Sequence, residues 1–227
     1  MKRISLDARL LSAAKLVRPG AKLADIGTDH AYLPIYLLNE GAICAAVCSD
    51  VNRGPLDKAK ENVASCGFSE LVDFRLCNGA SELEEYGATD YAICGMGGEL
   101  IAEILSAAPY LKNPDYRLIL QPMSRQSKLR EYLAGAGFSV LRESYSESAG
   151  KRYVTILASY DGVVRELLPL ESEFGNSLQS YRTDEIAKKY ADERMNALLR
   201  AANGKISGGE IEPQELILYN LAKKTIE

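Results

Sequence analysis

Short apolar runs alternate with longer amphipathic segments through the first two thirds of the chain. The apolar runs cover residues 22–27, 45–51, 72–77, 90–95 and 117–122. Helical spacing of apolar residues predicts helices over 5–17, 32–39, 55–66, 98–107 and 125–136, with Ser5 as the N-cap of the first. Because strand–helix alternation with apolar strands is typical of a parallel sheet covered on both faces, the pattern predicts an α/β fold.

The alternation of predicted strands and helices stops after Gly137. Residues 138–146 and 152–161 read as two strands joined by a few residues around Ala149 and Gly150. So short a connection predicts an antiparallel hairpin at one edge of the sheet. Five alternating units followed by such a hairpin favour the Rossmann-like class I methyltransferase fold over a fully parallel dinucleotide fold.

No strand pattern follows residue 170. Residues 172–202 and 213–226 read as helices, with a break at Asn203-Gly204 and a glycine-rich turn at 207–209. They predict a coiled-coil-like helical hairpin. The expected domains are therefore 1–164, the α/β domain, and 165–227, the helical domain.

Composition narrows the class of protein. The chain has 227 residues, 47% hydrophobic and 26% charged, which is ordinary globular composition. We expect a cytoplasmic protein, because no apolar run is long enough to span a membrane and the N-terminus does not resemble a signal peptide. Five cysteines lie in or beside apolar stretches, which favours reduced core thiols over a disulfide framework or a metal site.

The net charge of −4 argues against binding nucleic acid through bulk charge. Basic residues nevertheless cluster locally: six, including Lys2 and Arg3, precede residue 23 against Asp7 alone, and residues 112–152 hold eight against four acidic. Candidate contacts to a polyanion are Arg9, Lys15, Arg125, Lys128, Arg130, Lys188 and Lys189. For each of them alone, a solvated surface charge is the more common explanation.

Acidic residues follow the first two predicted strands. Asp25 and Gly27 close the first strand, and Asp50 closes the second. In open parallel sheets, ligands bind at the carboxyl ends of strands near the topological switch. A glycine there lets the backbone approach a ligand, and the carboxylate at Asp50 can accept hydrogen bonds from the hydroxyls of a ribose. The pair indicates an adenosine cofactor; a turn glycine and a solvated aspartate are the alternative.

The loop after Gly27 indicates which cofactor. A dinucleotide brings a pyrophosphate, which requires a glycine-rich turn, and Asp29 would repel it. S-adenosylmethionine has no phosphate and carries a positive sulfonium and amino group, so a carboxylate suits it. The sequence therefore favours S-adenosylmethionine over NAD. His30, the chain's single histidine, is expected to contact the cofactor or the local backbone rather than to act as a base.

Glycines also follow the third and fourth strands. Asn78-Gly79 could frame an adenine ring, although a plain turn explains the pair equally well. Gly95-Met96-Gly97-Gly98 implies close backbone approach or positive φ. Such a turn would leave room for a flat base with Met96 packed on its face, and a purely structural turn is the alternative.

Taken together, ADIGTDHAYLPIYL, SDVNRGPLDKAKENV, GMGGELI and LILQPM resemble the TrmK family of bacterial tRNA methyltransferases, over residues 1 to about 161. The resemblance implies methylation of N1 of adenine 22 in tRNA and a C-terminal coiled-coil-like domain. It also favours Arg9 as a contact of the cofactor carboxylate. Methyltransferases at large carry a glycine-rich run after the first strand, and many that act on amino nitrogens carry an Asn/Asp-Pro-Pro-aromatic motif after the fourth. The chain lacks both.

The resulting site prediction assigns three roles. Asp29 is the catalytic candidate, stabilising positive charge on the base, with holding the cofactor as an equal alternative. Expected cofactor contacts are Arg9, Asp25, Gly27, Thr28, His30, Asp50, Val51, Asn78, Gly79 and Gly95. Expected substrate contacts are Met96, Gly97, Arg125 and Lys128, and no metal is expected.

Three other functions compete with this interpretation. The first is an S-adenosylmethionine-dependent methyltransferase of a small molecule or protein, which the acidic composition keeps open. The second is an NAD(P)-linked oxidoreductase, against which Asp29 counts. The third is an inactive RNA-binding or scaffolding protein, which retention of Asp25, Gly27 and Asp50 disfavours.

Overall fold

A computed structural model describes residues 4–227; Lys2 and Arg3 of the basic N-terminal stretch lie outside these residues. The strands are β1 (Ala21–Ile26), β2 (Ile43–Asp50), β3 (Val72–Leu76), β4 (Asp90–Gly97), β5 (Arg117–Ser124), β6 (Phe138–Ser148) and β7 (Lys151–Tyr160). The helices are α1 (Ala8–Ala14), α2 (Tyr32–Asn39), α3 (Arg53–Ser65), α4 (Gly98–Ala107), α5 (Gln126–Gly135), α6 (Pro169–Phe174), α7 (Glu185–Ser207) and α8 (Gln214–Ile226).

The strands form a seven-stranded sheet in the order β3-β2-β1-β4-β5-β7-β6. Strands β1 to β5 pair in parallel, and β7 pairs antiparallel with both β5 and β6. Ala149 and Gly150 both have positive φ, as a tight two-residue hairpin turn requires. The predicted α/β sheet with an antiparallel edge hairpin is confirmed.

Alternate residues of each central strand pack on opposite faces of the sheet. Leu23 and Ala92 join a cluster with helices α1, α2 and α3, whereas Ala24 and Tyr91 join a cluster with α4 and α5. Both faces are therefore covered, which explains why the strands read as continuous apolar runs rather than as alternating ones.

Helix α1 begins later than the sequence indicated. Asp7, not Ser5, is its N-cap, because the Asp7 carboxylate accepts a hydrogen bond of 2.8 Å from the backbone N–H of Leu10. A carboxylate satisfies an exposed N-terminal amide and also favours the positive end of the helix. The expectation of a Ser5 cap was wrong.

The prediction of one continuous helix over 172–202 is also wrong. Helix α6 ends at Phe174, and a turn leads to α7, where Asp184 accepts hydrogen bonds from the N–H groups of Ile186 and Ala187. The break expected at Asn203-Gly204 does not occur, since α7 continues to Ser207. An interior glycine costs only about 1 kcal/mol of helix stability, which the packing of α7 against α8 offsets.

A buried ion pair of the α/β domain is hydrogen-bonded to the helical segment. Arg130 of α5 and Glu143 of β6 are 2.6 Å apart, with side chains 3% and 1% exposed. Arg130 also donates to the carbonyl of Ser172, and Glu143 accepts from the N–H of Asn176. These partners surround the pair with further hydrogen bonds, as burial of an ion pair requires, although Nη2 of Arg130 is buried and has no hydrogen-bond partner among the described residues.

No helix within residues 4–227 is long and apolar enough to cross a membrane. Of the five cysteines, Cys48, Cys66 and Cys77 are buried, Cys94 is half-buried and Cys44 is exposed. The expectation of core thiols therefore fails at Cys44, which is exposed near the start of β2.

Candidate active site

A cavity of about 640 Å³ opens at the carboxyl ends of β1, β2 and β4. It lies beside the topological switch, where the chain leaves β1 on one side for β2 and returns on the other for β4. Nine of the residues that the sequence singled out line it: Arg9, Asp25, Gly27, Thr28, Asp29, His30, Asp50, Gly95 and Met96. Its size suits a small-molecule ligand.

The backbone turn after β1 forms part of the wall. The N–H groups of Gly27 and Thr28 both donate to the carbonyl of Ser49, at 2.8 and 2.9 Å. Gly27 has φ +75°, and a Cβ added there would lie 2.0 Å from Cε of Met96. Only glycine fits this conformation without displacing Met96. Gly27 and Met96 are therefore direct neighbours in the cavity wall, and the expected approach of the Gly27 backbone to a ligand stays a prediction.

Asp25 lies at the base of this turn and is 8% exposed. Thr28 Oγ1 donates a hydrogen bond of 2.6 Å to Asp25 Oδ2. Burial raises the pKa of Asp25 from 3.8 to about 6, the hydrogen bond from Thr28 opposes this, and the nearby charge of Asp50 adds to it. The fold thus holds a carboxylate in an environment that disfavours its charge, which is typical of a functional site.

Asp29 and His30 lie at the exposed side of the cavity. Asp29 Oδ2 is 3.3 Å from His30 Nε2, and the Asp29 side chain is 76% exposed. The His30 ring stacks on Tyr32 with centroids 5.0 Å apart, and Asn62 of α3 donates to the His30 carbonyl. His30 Nδ1 is buried and has no hydrogen-bond partner among the described residues. The loop therefore presents a carboxylate and an imidazole to the cavity.

Arg9 brings a positive charge into the same cavity from α1. Its Nη1 donates a hydrogen bond of 2.7 Å to Oε1 of Gln121, and its Nη2 is 3.4 Å from Asp7. With an 18% exposed side chain, Arg9 is placed for a ligand in the cavity rather than for an open RNA surface. Both of its predicted roles, the cofactor contact and the RNA contact, stay predictions.

Sequence reasoning missed several residues of this region: Leu6, Asp7, Leu10, Tyr32, Cys94 and Gln121. The polar pair Asp7 and Arg9 at a helix start and Gln121 inside an apolar strand were the available signals. Desolvation raises the pKa of Cys94 to about 12, with the charge of Asp25 as the next cause. The Cys94 thiol therefore stays protonated at neutral pH and is a poor nucleophile.

Six predicted site residues do not line the cavity: Val51, Asn78, Gly79, Gly97, Arg125 and Lys128. Val51 and Asn78 are exposed just beyond the ends of β2 and β3. Arg125 pairs loosely with Glu99 at 4.0 Å. Lys128 pairs with Glu131 and borders a separate groove at the helical segment. The cofactor role of Val51, Asn78 and Gly79 and the substrate role of Gly97, Arg125 and Lys128 therefore stay predictions.

The other basic candidates divide into two groups. Arg130 is wrong as an RNA contact, since it is buried against Glu143. Lys189 pairs with Glu147 at 3.2 Å and Lys188 lies over the ring of Tyr181, both at the surface. Lys15 is exposed at the end of α1. The surface lysines stay available to a polyanion.

Within residues 4–227, no group of three or more His, Cys, Asp or Glu side chains is placed to hold a metal ion.

The chain is similar in sequence to known methyltransferases. Residues 6–156 match a family of methyltransferase domains. The tRNA (adenine(22)-N(1))-methyltransferase of Bacillus subtilis is 34% identical over 170 residues, covering 72% of this chain and 71% of that protein.

Solved structures agree over nearly the whole chain. The crystal structure of the B. subtilis m1A22 tRNA methyltransferase TrmK superimposes with a TM-score of 0.84 and 28% identity, covering 99% of this chain and 100% of that one. A Streptococcus pneumoniae protein in complex with S-adenosyl-L-methionine gives a TM-score of 0.83 and 32% identity, covering 98% and 100%. The likeness extends over the C-terminal helices as well as the sheet.

Proposed function

This chain belongs to the TrmK family of tRNA (adenine-22 N1)-methyltransferases, and on that premise we propose how its residues transfer a methyl group from S-adenosylmethionine to N1 of adenine 22 in tRNA. The single observation that carries the proposal is the placement of Asp25, Asp29, Asp50 and Arg9 around one cavity. Three carboxylates and one guanidinium suit a zwitterionic, cationic cofactor without phosphate.

The residues present fit that cofactor. In the cavity wall, a Cβ at Gly27 would displace the terminal methyl group of Met96, and His30 Nδ1 is a buried nitrogen without a partner in residues 4–227. A buried polar atom of this kind is usually satisfied by a ligand or by water. We assign Asp50 to the ribose hydroxyls, Arg9 to the carboxylate, and Asp25 with Thr28 to the positively charged end. Val51, Asn78 and Gly79 are assigned to the adenine side.

When bound, S-adenosylmethionine supplies an electrophilic methyl group on a positive sulfonium. Neutral adenine has a lone pair on N1, so the chain needs no strong base to create a nucleophile. The residues must instead hold N1 in line with the methyl group at about 3–3.5 Å. We assign Met96, which lines the cavity, and Gly97, which follows it in β4, to the space for the flat base.

The bond from N1 to the methyl carbon forms as the bond from sulfur breaks, and the positive charge moves onto the base. A carboxylate beside the base therefore stabilises the transition state more than the ground state. Asp29 is the residue that we assign to this role. Its position at the exposed side of the cavity supports a contact with a base that enters from solvent.

The target base must leave its stack, since N1 lies on the Watson–Crick edge. Recognition then rests on tRNA shape and phosphate contacts. We assign Arg125 and Lys128 to phosphates and the helical domain 165–227 to the tRNA body, with 1–164 as the catalytic domain. With nine basic and eleven acidic residues, the helical domain would act through the arrangement of its charges. The cytoplasm is the compartment where such an enzyme meets tRNA.

The test is methyl transfer from labelled S-adenosylmethionine to unmodified tRNA transcripts, with the product nucleoside identified by mass spectrometry. We expect N1-methyladenosine, and we expect its loss when adenine 22 of the transcript is replaced. Another methylated nucleoside would overturn the target assignment and keep the cofactor. No transfer despite cofactor binding would shift the function to a small-molecule or protein substrate.

A further inference from the structure

Strand β4 leaves the regular parallel ladder at Gly95. Cys94 pairs with Gln121 of β5 and Met96 pairs with Pro122, so Gly95 is an extra residue between them, with φ +82°. A proline in the partner strand has no N–H to offer the ladder. A bulge of this kind leaves a backbone group unpaired and is typical of functional sites.

The side chain of Gln121 replaces the missing ladder partner. Its Oε1 accepts a hydrogen bond of 3.1 Å from the N–H of Gly95 and one of 2.7 Å from Nη1 of Arg9. Both neighbours are donors, so the carbonyl oxygen of the amide must face them. Its Nε2 donates to the carbonyl of Pro122 at 3.2 Å. Gln121 is 0% exposed, so the fold rather than solvent sets its orientation.

At position 121, a neutral amide holds Arg9 without neutralising its charge, which a carboxylate would do. Arg9 and Gln121 are 112 residues apart in sequence, and their contact fixes the guanidinium of α1 over the end of β5. A glutamate there would hold Arg9 equally well, but its charge would cancel that of the guanidinium. The amide orients Arg9 without adding a second negative charge to that of Asp7, which is 3.4 Å from its Nη2, and so keeps the guanidinium suited to an anion in the cavity.

We propose that Gln121 is a positioning residue for cofactor binding, which orients Arg9 toward the carboxylate of the cofactor's amino-acid end. Through its hydrogen bond to Gly95, Gln121 also links Arg9 to the Gly95-Met96 turn beside the target base. The inference rests on the proposed function, because it assumes that the cavity holds S-adenosylmethionine. Gln121 acts through Arg9 and need not touch the cofactor itself.

Two ligands with the same adenosine and thioether groups separate this role from general support of the fold. S-adenosylhomocysteine has the amino-acid end, and 5′-methylthioadenosine lacks it. For Gln121→Leu we expect calorimetry to show S-adenosylhomocysteine bound about tenfold or more weakly, the usual effect of losing a hydrogen bond to a charged group. The affinity for 5′-methylthioadenosine should change by less than about twofold, within the scatter of such comparisons.

Two further variants extend the test. In an Arg9→Ala background, Gln121→Leu should cause no additional loss of S-adenosylhomocysteine affinity, because the two residues act as one unit. Gln121→Glu keeps the size and the acceptor, so it covers the case in which the leucine variant does not fold; it too should weaken only S-adenosylhomocysteine. Gln179→Glu, at an exposed position of the helical segment, is the control for the added charge and should bind both ligands normally.

An equal loss of both ligands, or no loss of either, would overturn the proposal. Independent losses from Arg9→Ala and Gln121→Leu would overturn it as well. The ligand pair contains no RNA, so failure of the unsubstituted chain to methylate tRNA would overturn the proposed function alone. Absence of S-adenosylhomocysteine binding by that chain would overturn both.

Discussion

Thr28 Oγ1 donates a hydrogen bond of 2.6 Å to Oδ2 of Asp25, at a place in the cavity that solvent hardly reaches. The bond favours the charged carboxylate, whereas burial favours the neutral acid, and burial is the larger effect on the pKa. The free protein therefore holds Asp25 in an unfavourable state at neutral pH, and this has consequences for both stability and binding.

Asp25→Asn should stabilise the free protein at neutral pH. The folded-state pKa of about 6 exceeds the ordinary 3.8, so the native state binds the proton more tightly than the unfolded one. The contribution of Asp25 to stability is therefore greatest below about pH 4 and is lost as pH rises through about 6, by about 3 kcal/mol in total. In urea unfolding at neutral pH, the asparagine variant should have a higher free energy of unfolding than the unsubstituted chain. The difference should disappear toward pH 4.

Asp29→Asn is the matched control for that experiment. It removes the same charge from the same loop, but its side chain is 76% exposed. It should not reproduce the pH-dependent gain. A gain from Asp25→Asn that is the same at both pH values would contradict desolvation as the cause.

Cofactor affinity should follow the same ionisation. If charged Asp25 holds the positive end of S-adenosylmethionine, binding should strengthen as pH rises through about 6, and Asp25→Asn should bind weakly with a flat pH profile. Calorimetry from about pH 5 to pH 8 measures this. His30 lies in the same cavity, so a His30→Gln variant that also flattened the profile would assign the dependence to the histidine instead.

Gly27→Ala should weaken cofactor binding more than it weakens the fold. The added methyl group would meet Cε of Met96, and φ at Gly27 is +75°. Gly20 has the same φ, and a Cβ added there would meet no atom within 4 Å, so Gly20→Ala measures the backbone strain alone. Both should lose about 1–2 kcal/mol of stability, while only Gly27→Ala loses affinity for S-adenosylmethionine.

The double variant Gly27→Ala with Met96→Ala tests the steric part of this prediction. Removing the methionine gives the new methyl group its space, so part of the affinity should return. If Gly20→Ala reduced cofactor affinity as much as Gly27→Ala does, strain rather than the cavity would be responsible.

Asp29→Ala should slow methyl transfer strongly, by about 10²-fold or more, if the carboxylate stabilises charge on the base. Single-turnover rates with saturating S-adenosylmethionine measure this step, and calorimetry checks the cofactor separately. A loss of turnover with normal cofactor affinity indicates the catalytic role, and a loss of affinity indicates the binding role. Near-normal values of both would exclude Asp29 from either.

Arg130→Ala should destabilise the whole chain, by about 3–5 kcal/mol, because it leaves the buried carboxylate of Glu143 unpaired. It also removes the hydrogen bond to Ser172, so the helical segment should become sensitive to protease. Lys128→Ala, on the same helix but in an exposed pair with Glu131, should leave the unfolding midpoint unchanged. Equal midpoints for the two variants would contradict the role of the buried pair.

The sequence by itself determined the α/β alternation, the edge hairpin and the class of cofactor. An apolar run such as 90–95 predicts a strand because a strand that is buried on both faces needs apolar residues at nearly every position, and that pattern can be read directly from the sequence. Asp29 excluded a pyrophosphate because like charges repel whatever the surrounding fold. The family motifs added the target base, which no periodicity could indicate.

Only the tertiary structure decided which polar residues meet. Arg130 reads as a surface charge until β6 places Glu143 beside it, and Gln121 reads as one more strand residue until α1 brings Arg9 to its amide. The path of the tail between Phe174 and Glu185 likewise depends on what it packs against. Helical periodicity records which residues prefer burial, but partners far apart in sequence are chosen by the packed chain, because charge and hydrogen-bond energies depend on distance and on exclusion of water.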